Sequence, residues 1–227
     1  EGTIQELTYE QAYEGVTYEK EALVYVPASY TPGVPANIVY LTHGWWGTAD
    51  GLAEGVAPVV DQLTSAGSIA PMIVVFATYY PDRSFATEDY EDDYALNRFF
   101  ATTEIDTLIK TVESHYTTFA RGGSEMCIRD STSDESLRAS RRHRAFGGFS
   151  MGATTTWDVF ALRPQYFYGY IPMAGESWIG REEDADSAQI AQLVTAGAER
   201  AHYGPQDFRI FASVGSLDPA LGDMSPQ

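Results

Sequence analysis

The sequence predicts an α/β fold, a mainly parallel sheet with helices on both faces. Three observations carry this. Asn37–Thr42 (NIVYLT) and Pro71–Thr78 (PMIVVFAT) are short and almost wholly apolar, as strands covered on both faces must be. Longer stretches with apolar residues at helical spacing lie between such runs. The two kinds of segment alternate along the chain. That order closes most simply into a parallel sheet whose chemistry collects at the C-terminal ends of its strands.

Taken in order, Val16–Pro27 alternates polar and apolar residues and reads as a half-exposed strand. Residues 30–35 (YTPGVP) form a turn, and Asn37–Thr42 then runs straight into His43-Gly44-Trp45-Trp46-Gly47. Leu52–Ala66 is expected to be a helix with Val56, Val59, Val60 and Leu63 on its buried stripe and Pro58 near its start. After the Pro71–Thr78 strand, Tyr79–Tyr94 is acidic and irregular, a long surface loop. Thr103–Tyr116 is an amphipathic helix, with Ile105, Leu108, Ile109, Val112 and Tyr116 on one face and Thr103/Asp106 as its capping box. Residues 121–142 are rich in Gly, Ser and Arg and have neither period, so they are expected to be a disordered or non-native insertion. Residues 143–147 are a strand edge, Ala153–Leu162 a helix, Phe167–Ala174 a strand, Ala185–Arg200 a helix and Phe208–Val214 the last strand.

At 227 residues, 44% hydrophobic and 13% aromatic, the chain is expected to be a single domain, 1–227, with a sizeable core. Its 14 basic against 32 acidic residues give a net charge of −18, which argues against nucleic acid or an anionic membrane as partner. No run of 18 apolar residues is present. The single cysteine, Cys127, permits no internal disulfide, and four scattered histidines show no ligand spacing, so neither a metal nor a cofactor is expected. Nothing in the sequence speaks to oligomeric state.

Gly148-Phe149-Ser150-Met151-Gly152 falls between a strand and a helix. A serine on so sharp a turn needs small residues two positions away on each side, and the bend lifts its hydroxyl clear of the backbone. Alone, the pattern also fits a plain glycine turn. With the His43–Gly47 loop after an earlier strand, it fits acyl transfer: Ser150 as nucleophile, and the N–H groups of Met151 and Trp45 as oxyanion donors. Asp218 follows the last strand, where the triad acid belongs in the chain order Ser, Asp, His, although it could equally cap a turn. No histidine follows it. The base is therefore expected beyond Gln227, making 1–227 incomplete at its C-terminal end. The alternative is His202, serving in an unusual order.

These residues resemble the α/β-hydrolase-fold carbohydrate esterases that include feruloyl and acetylxylan esterases. The match lies in residues 40–47 (YLTHGWWG), 144–153 (RAFGGFSMGA) and 215–218 (GSLD). S-formylglutathione hydrolases and mycolyltransferase-like acyltransferases are similar too. The resemblance implies cleavage of an acyl ester on plant cell-wall polysaccharide through acyl-Ser150, by an extracellular or cell-surface enzyme. Trp46 and Trp178 would then stack an aromatic acid or a sugar ring. Acyl transfer to an alcohol, or a non-catalytic glycan-binding scaffold, uses the same features.

Overall fold

The computed structural model describes residues 1–121 and 133–227. Its centre is a seven-stranded sheet of order β1-β2-β4-β3-β5-β6-β7. The strands are β1 (Thr3–Tyr13), β2 (Val16–Val26), β3 (Asn37–Thr42), β4 (Met72–Ala77), β5 (Arg144–Phe149), β6 (Gly169–Met173) and β7 (Arg209–Ile210). From β4 to β7 every neighbour is parallel, while β1 and β2 form an antiparallel ribbon at one edge. The sequence reading omitted β1. Its hairpin turns on Glu14-Gly15, both at positive φ (49° and 80°), as a two-residue turn between twisted strands requires.

The helices are α1 (Ala49–Ser65), α2 (Tyr94–Phe99), α3 (Ile105–His115), α4 (Asp134–Ala139), α5 (Met151–Leu162), α6 (Ser187–Arg200) and α7 (Leu221–Met224). Side chains alternate across each strand, so the sheet has two apolar faces. Tyr25, Leu41, Val74 and Phe76 pack with the alanines of α1. Tyr40, Val75, Phe146 and Tyr170 belong to the larger core on the opposite face, with α3, α5 and α6.

Several local expectations are corrected. α1 buries only part of the valine stripe, with Val56 and Val60 half-buried against the core. Val59 and Leu63 are exposed, and Ala49, Ala53 and Ala57 face the sheet, because a side chain of one carbon lets the helix lie close. Pro58 sits inside that helix, on its exposed side, and Thr48 caps its start through Gly51 N–H. The Thr103/Asp106 box does not form. Residues 100–104 are wound as a π-helical segment joining α2 to α3, so no helix begins there and no cap is needed. That segment directs Glu104 inward, where it pairs with Lys20 and accepts the Tyr9 hydroxyl. The Tyr79–Tyr94 loop is not confined to the surface, since Tyr79, Tyr80, Asp93 and Tyr94 are buried. Of residues 121–142, the part from 133 onward is folded. Leu137 is fully buried, and the Arg141 guanidinium donates to the carbonyls of Pro164, Phe167 and Asp207. Residues 123–131, including Cys127, lie outside the described residues.

From β3 the chain crosses to β4 on one side, and from β5 to β6 on the other. The order therefore reverses between β3 and β5, and at such a point the loops leaving two adjacent strands diverge and open a crevice. Those loops are His43–Gly47 and Ser150.

Candidate active site

β5 ends at Phe149 and α5 begins at Met151, so Ser150 alone makes the strand-to-helix turn, at φ 56° and ψ −113°. That region costs a residue with a Cβ of order 1–3 kcal/mol. Hydrogen bonds hold it there: Ser150 N–H donates to Met173 O (2.8 Å), and Ser150 O accepts the N–H of Ala153 (2.8 Å). The flanking glycines are steric necessities. A Cβ on Gly148 would stand 2.4 Å from the Gly152 backbone, and one on Gly152 would stand 2.3 Å from the Thr42 carbonyl.

The turn after β3 lies against this serine, for a Cβ on Gly44 would be 3.3 Å from Ser150 Cβ. Gly44 O accepts the N–H of Gly47 (2.9 Å), closing a four-residue turn with Trp46 at its third position and φ 58°. Glycine usually occupies that place, since it needs positive φ. Gly44 O also meets His43 Nδ1 at 2.7 Å. A carbonyl only accepts, so Nδ1 carries the proton, and Nε2 accepts from the Thr78 hydroxyl at 2.7 Å. Burial, with Arg83 and Lys20 nearby, outweighs the Gly44 bond and pushes the His43 pKa down to about 4. His43 is thus a neutral ring with both nitrogens committed. In a trans peptide C=O and N–H point in opposite directions. Holding Gly44 O from one side turns the Trp45 N–H to the other. Neither Trp45 N–H nor Met151 N–H donates to any described residue.

Ser150, Met151, Trp45, Trp178 and Asp218 line one cavity of about 400 Å³, together with Tyr90, Thr154, Glu176 and Asp223. Trp46 is not among its walls. Trp178 is buried; its indole N–H donates to Glu176 Oε1 (2.8 Å), and its ring meets Tyr94 (5.3 Å), Tyr90 (5.5 Å) and the Arg181 guanidinium (4.4 Å). Tyr90 bridges to Trp45 at 5.9 Å, so three rings form a continuous wall. Sequence reasoning missed Tyr90 and Glu176. The tyrosine-containing acidic loop was the available signal, and Glu176 stood beside the tryptophan already singled out. Asp218 does both things that its sequence allowed: it borders the cavity, and its Oδ1 accepts the Ala220 N–H at 2.9 Å.

No histidine lines the cavity. His143 precedes β5, donates from Nδ1 to Asn37 Oδ1 at the start of β3, and stacks on Phe119. His115 closes α3, which leads toward β5, and His202 follows α6, which leads toward β7. All three belong to the N-terminal edge of the sheet, opposite Ser150, so the His202 alternative is not met by this geometry. Among the described residues no cluster of His, Cys, Asp or Glu could hold a metal, and no helix is long and apolar enough to cross a membrane.

No protein-family model matches the chain. It is 30% identical over 220 residues to endo-1,4-beta-xylanase Y of Acetivibrio thermocellus, covering 96% of this chain and 18% of that protein. It is 26% identical to an endo-1,4-beta-xylanase/feruloyl esterase of Xylanibacter ruminicola, covering 80% of this chain and 23% of that protein. A serine-to-alanine mutant of the feruloyl esterase module from Clostridium thermocellum, complexed with sinapinate, superposes with a TM-score of 0.78. It is 28% identical, with coverage of 100% of this chain and 71% of that one. The chain has the α/β-hydrolase fold of the feruloyl esterases. It spans about a fifth of the length of the curated relatives it matches. Ser150, after β5, thus occupies the strand-to-helix turn of an α/β-hydrolase sheet.

Proposed function

We propose that residues 1–227 are one α/β-hydrolase domain of a serine esterase that cleaves feruloyl or acetyl esters of plant cell-wall polysaccharide. The observation that carries this is Ser150 in a strained turn, its neighbour's N–H unbonded, on a cavity walled by Trp45, Tyr90 and Trp178. Ser150 Oγ adds to the ester carbonyl, and the oxygen becomes an oxyanion held by the N–H groups of Trp45 and Met151. Collapse breaks the bond to the sugar oxygen, which leaves with a proton as the alcohol. Water then adds to acyl-Ser150 and releases the acid. Asp218 would orient an imidazole that takes and returns the proton. The aromatic wall suits a planar aromatic acyl group, which favours feruloyl over acetyl, and the xylanase and feruloyl esterase relatives support the same choice. A cell-wall polysaccharide substrate is consistent with an enzyme acting outside the cell or at its surface.

Residues 1–227 put no imidazole at Ser150. Loss of that group in a serine hydrolase lowers turnover by about a million-fold, so these residues alone acylate slowly. The test is hydrolysis of a p-nitrophenyl ester by residues 1–227 with and without added imidazole, with Ser150→Ala as the reference. A component that needs Ser150 and rises with imidazole is expected. Hydrolysis identical in the protein and in Ser150→Ala at every imidazole concentration overturns the nucleophile.

A further inference from the structure

Trp46 is the one exposed tryptophan at this site that the acyl cavity does not use. The residue is 49% exposed, yet its side chain is tightly fixed. The indole N–H donates to Thr87 O at 2.5 Å, and the backbone carbonyl accepts from Arg83 Nη2 at 3.0 Å. Arg83 Nη1 also holds Gly47 O (2.8 Å), and the guanidinium lies 5.4 Å from the Trp46 ring centre and 5.7 Å from that of Tyr80. The backbone is kept at φ 58°, which glycine would adopt freely and tryptophan does not. A turn needs no indole there. Core packing does not explain it either, since the residue is exposed.

Because the N–H already has its acceptor, the indole offers a partner its apolar face. Because the ring is already fixed, binding immobilises little on the protein side. The C–H face of a sugar ring is a partner of that kind. Trp46 also stands next in line along the aromatic wall: its ring meets Trp45 edge-on at 6.4 Å, and Trp45 borders the cavity. If the aromatic acid lies along Trp45, Tyr90 and Trp178, the sugar esterified to it emerges at the mouth.

We propose that Trp46, backed by Arg83, is a carbohydrate platform outside the acyl cavity that stacks a sugar of the polysaccharide carrying the ester. This rests on the esterase reading above, but its test separates the two. Binding to residues 1–227 carrying Ser150→Ala is measured by calorimetry for methyl ferulate, xylotriose and feruloyl-xylotriose. Trp46→Gly removes the ring and accepts the positive φ; Trp46→Phe keeps a smaller ring, and circular dichroism checks that both fold. Losing one stacked ring is expected to weaken both sugar ligands by roughly tenfold in Trp46→Gly and by less in Trp46→Phe, with methyl ferulate unchanged. Sugar ligands that bind equally well in all three forms, or do not bind at all, overturn the platform. Methyl ferulate failing to bind while xylotriose binds through Trp46 would remove the feruloyl reading and leave the platform standing.

Discussion

At the scale of single residues, His43 is remote from Ser150 but linked to the turn beside it. Its Nδ1–H grips Gly44 O, and the peptide plane transmits that grip to the Trp45 N–H. On the proposed esterase reading it is a positioning residue. His43→Ala should lower imidazole-rescued turnover by roughly 100-fold, the effect of losing one oxyanion donor, while methyl ferulate binds within about twofold of wild type. His43→Asn should restore most of the rate, because its amide N–H can reach the same carbonyl. With a pKa near 4, the ring stays neutral from pH 5 to 8, so the rate should carry no inflection from it there. Equal losses in His43→Ala and His43→Asn would show that the ring only fills space. Part of this was legible in the sequence: His43-Gly44 after an apolar run marked the turn, and Gly148 and Gly152 marked the serine. The tautomer and Thr78's part were not, because Thr78 lies 35 residues away, just past the end of β4.

At the scale of elements, legibility followed burial. β3 and β4 are covered on both faces, and their apolar runs gave them away within a residue or two, while β5 was marked by the serine turn that follows it. β1 is an edge strand, mostly exposed, so its composition is polar and it went unread. α1 was placed with its buried face only partly right, because valine outweighs alanine in any hydrophobic stripe while close packing against a sheet favours the alanines. α5 is the most enclosed helix, buried from Met151 to Ala161 except at Trp157. Within it Asp158 is fully buried, its Oδ1 accepting the Tyr94 hydroxyl at 3.0 Å and its Oδ2 unpaired. Burial raises its pKa to about 7, against the weaker opposing effects of Tyr94 and Arg98. Unfolded, the carboxyl ionises near 3.8, so between there and pH 7 the folded state holds the extra proton. Stability must then fall as pH rises through that window, by about 1.4 kcal/mol per unit at most, and level off above it. Asp158→Asn, which keeps the acceptor for Tyr94, should remove this slope. Urea melts from pH 4 to 8 check it: a wild-type-minus-variant difference that does not change with pH would mean that Asp158 ionises freely in the folded protein.

At the scale of the whole molecule, the charge of −18 is more than a solubility device, because it continues into the cavity. Glu176, Asp218 and Asp223 border it, and among the described residues no Lys, Arg or His does. On the esterase reading proposed above, an ester would enter such a site uncharged. The acid released from it would ionise at neutral pH and meet carboxylates in a partly desolvated pocket, where repulsion is stronger than in water. Hydrolysis would thus convert a tolerated ligand into a repelled one, and the field would expel product without any moving part. Ferulate should therefore bind residues 1–227 about tenfold more weakly than methyl ferulate at low salt, roughly 1.4 kcal/mol. The gap should narrow at high salt, where the Debye length shortens to about 3 Å at 1 M. Glu176→Gln should narrow it too, since the amide oxygen still accepts the Trp178 N–H while the charge is gone. Titration of both ligands at 20 mM and 1 M salt, in the two proteins, decides the matter. Ferulate binding as tightly as its methyl ester at 20 mM would mean that the cavity does not sense the product's charge, and product release would then have to come from the loops that carry Tyr90 and Asp218.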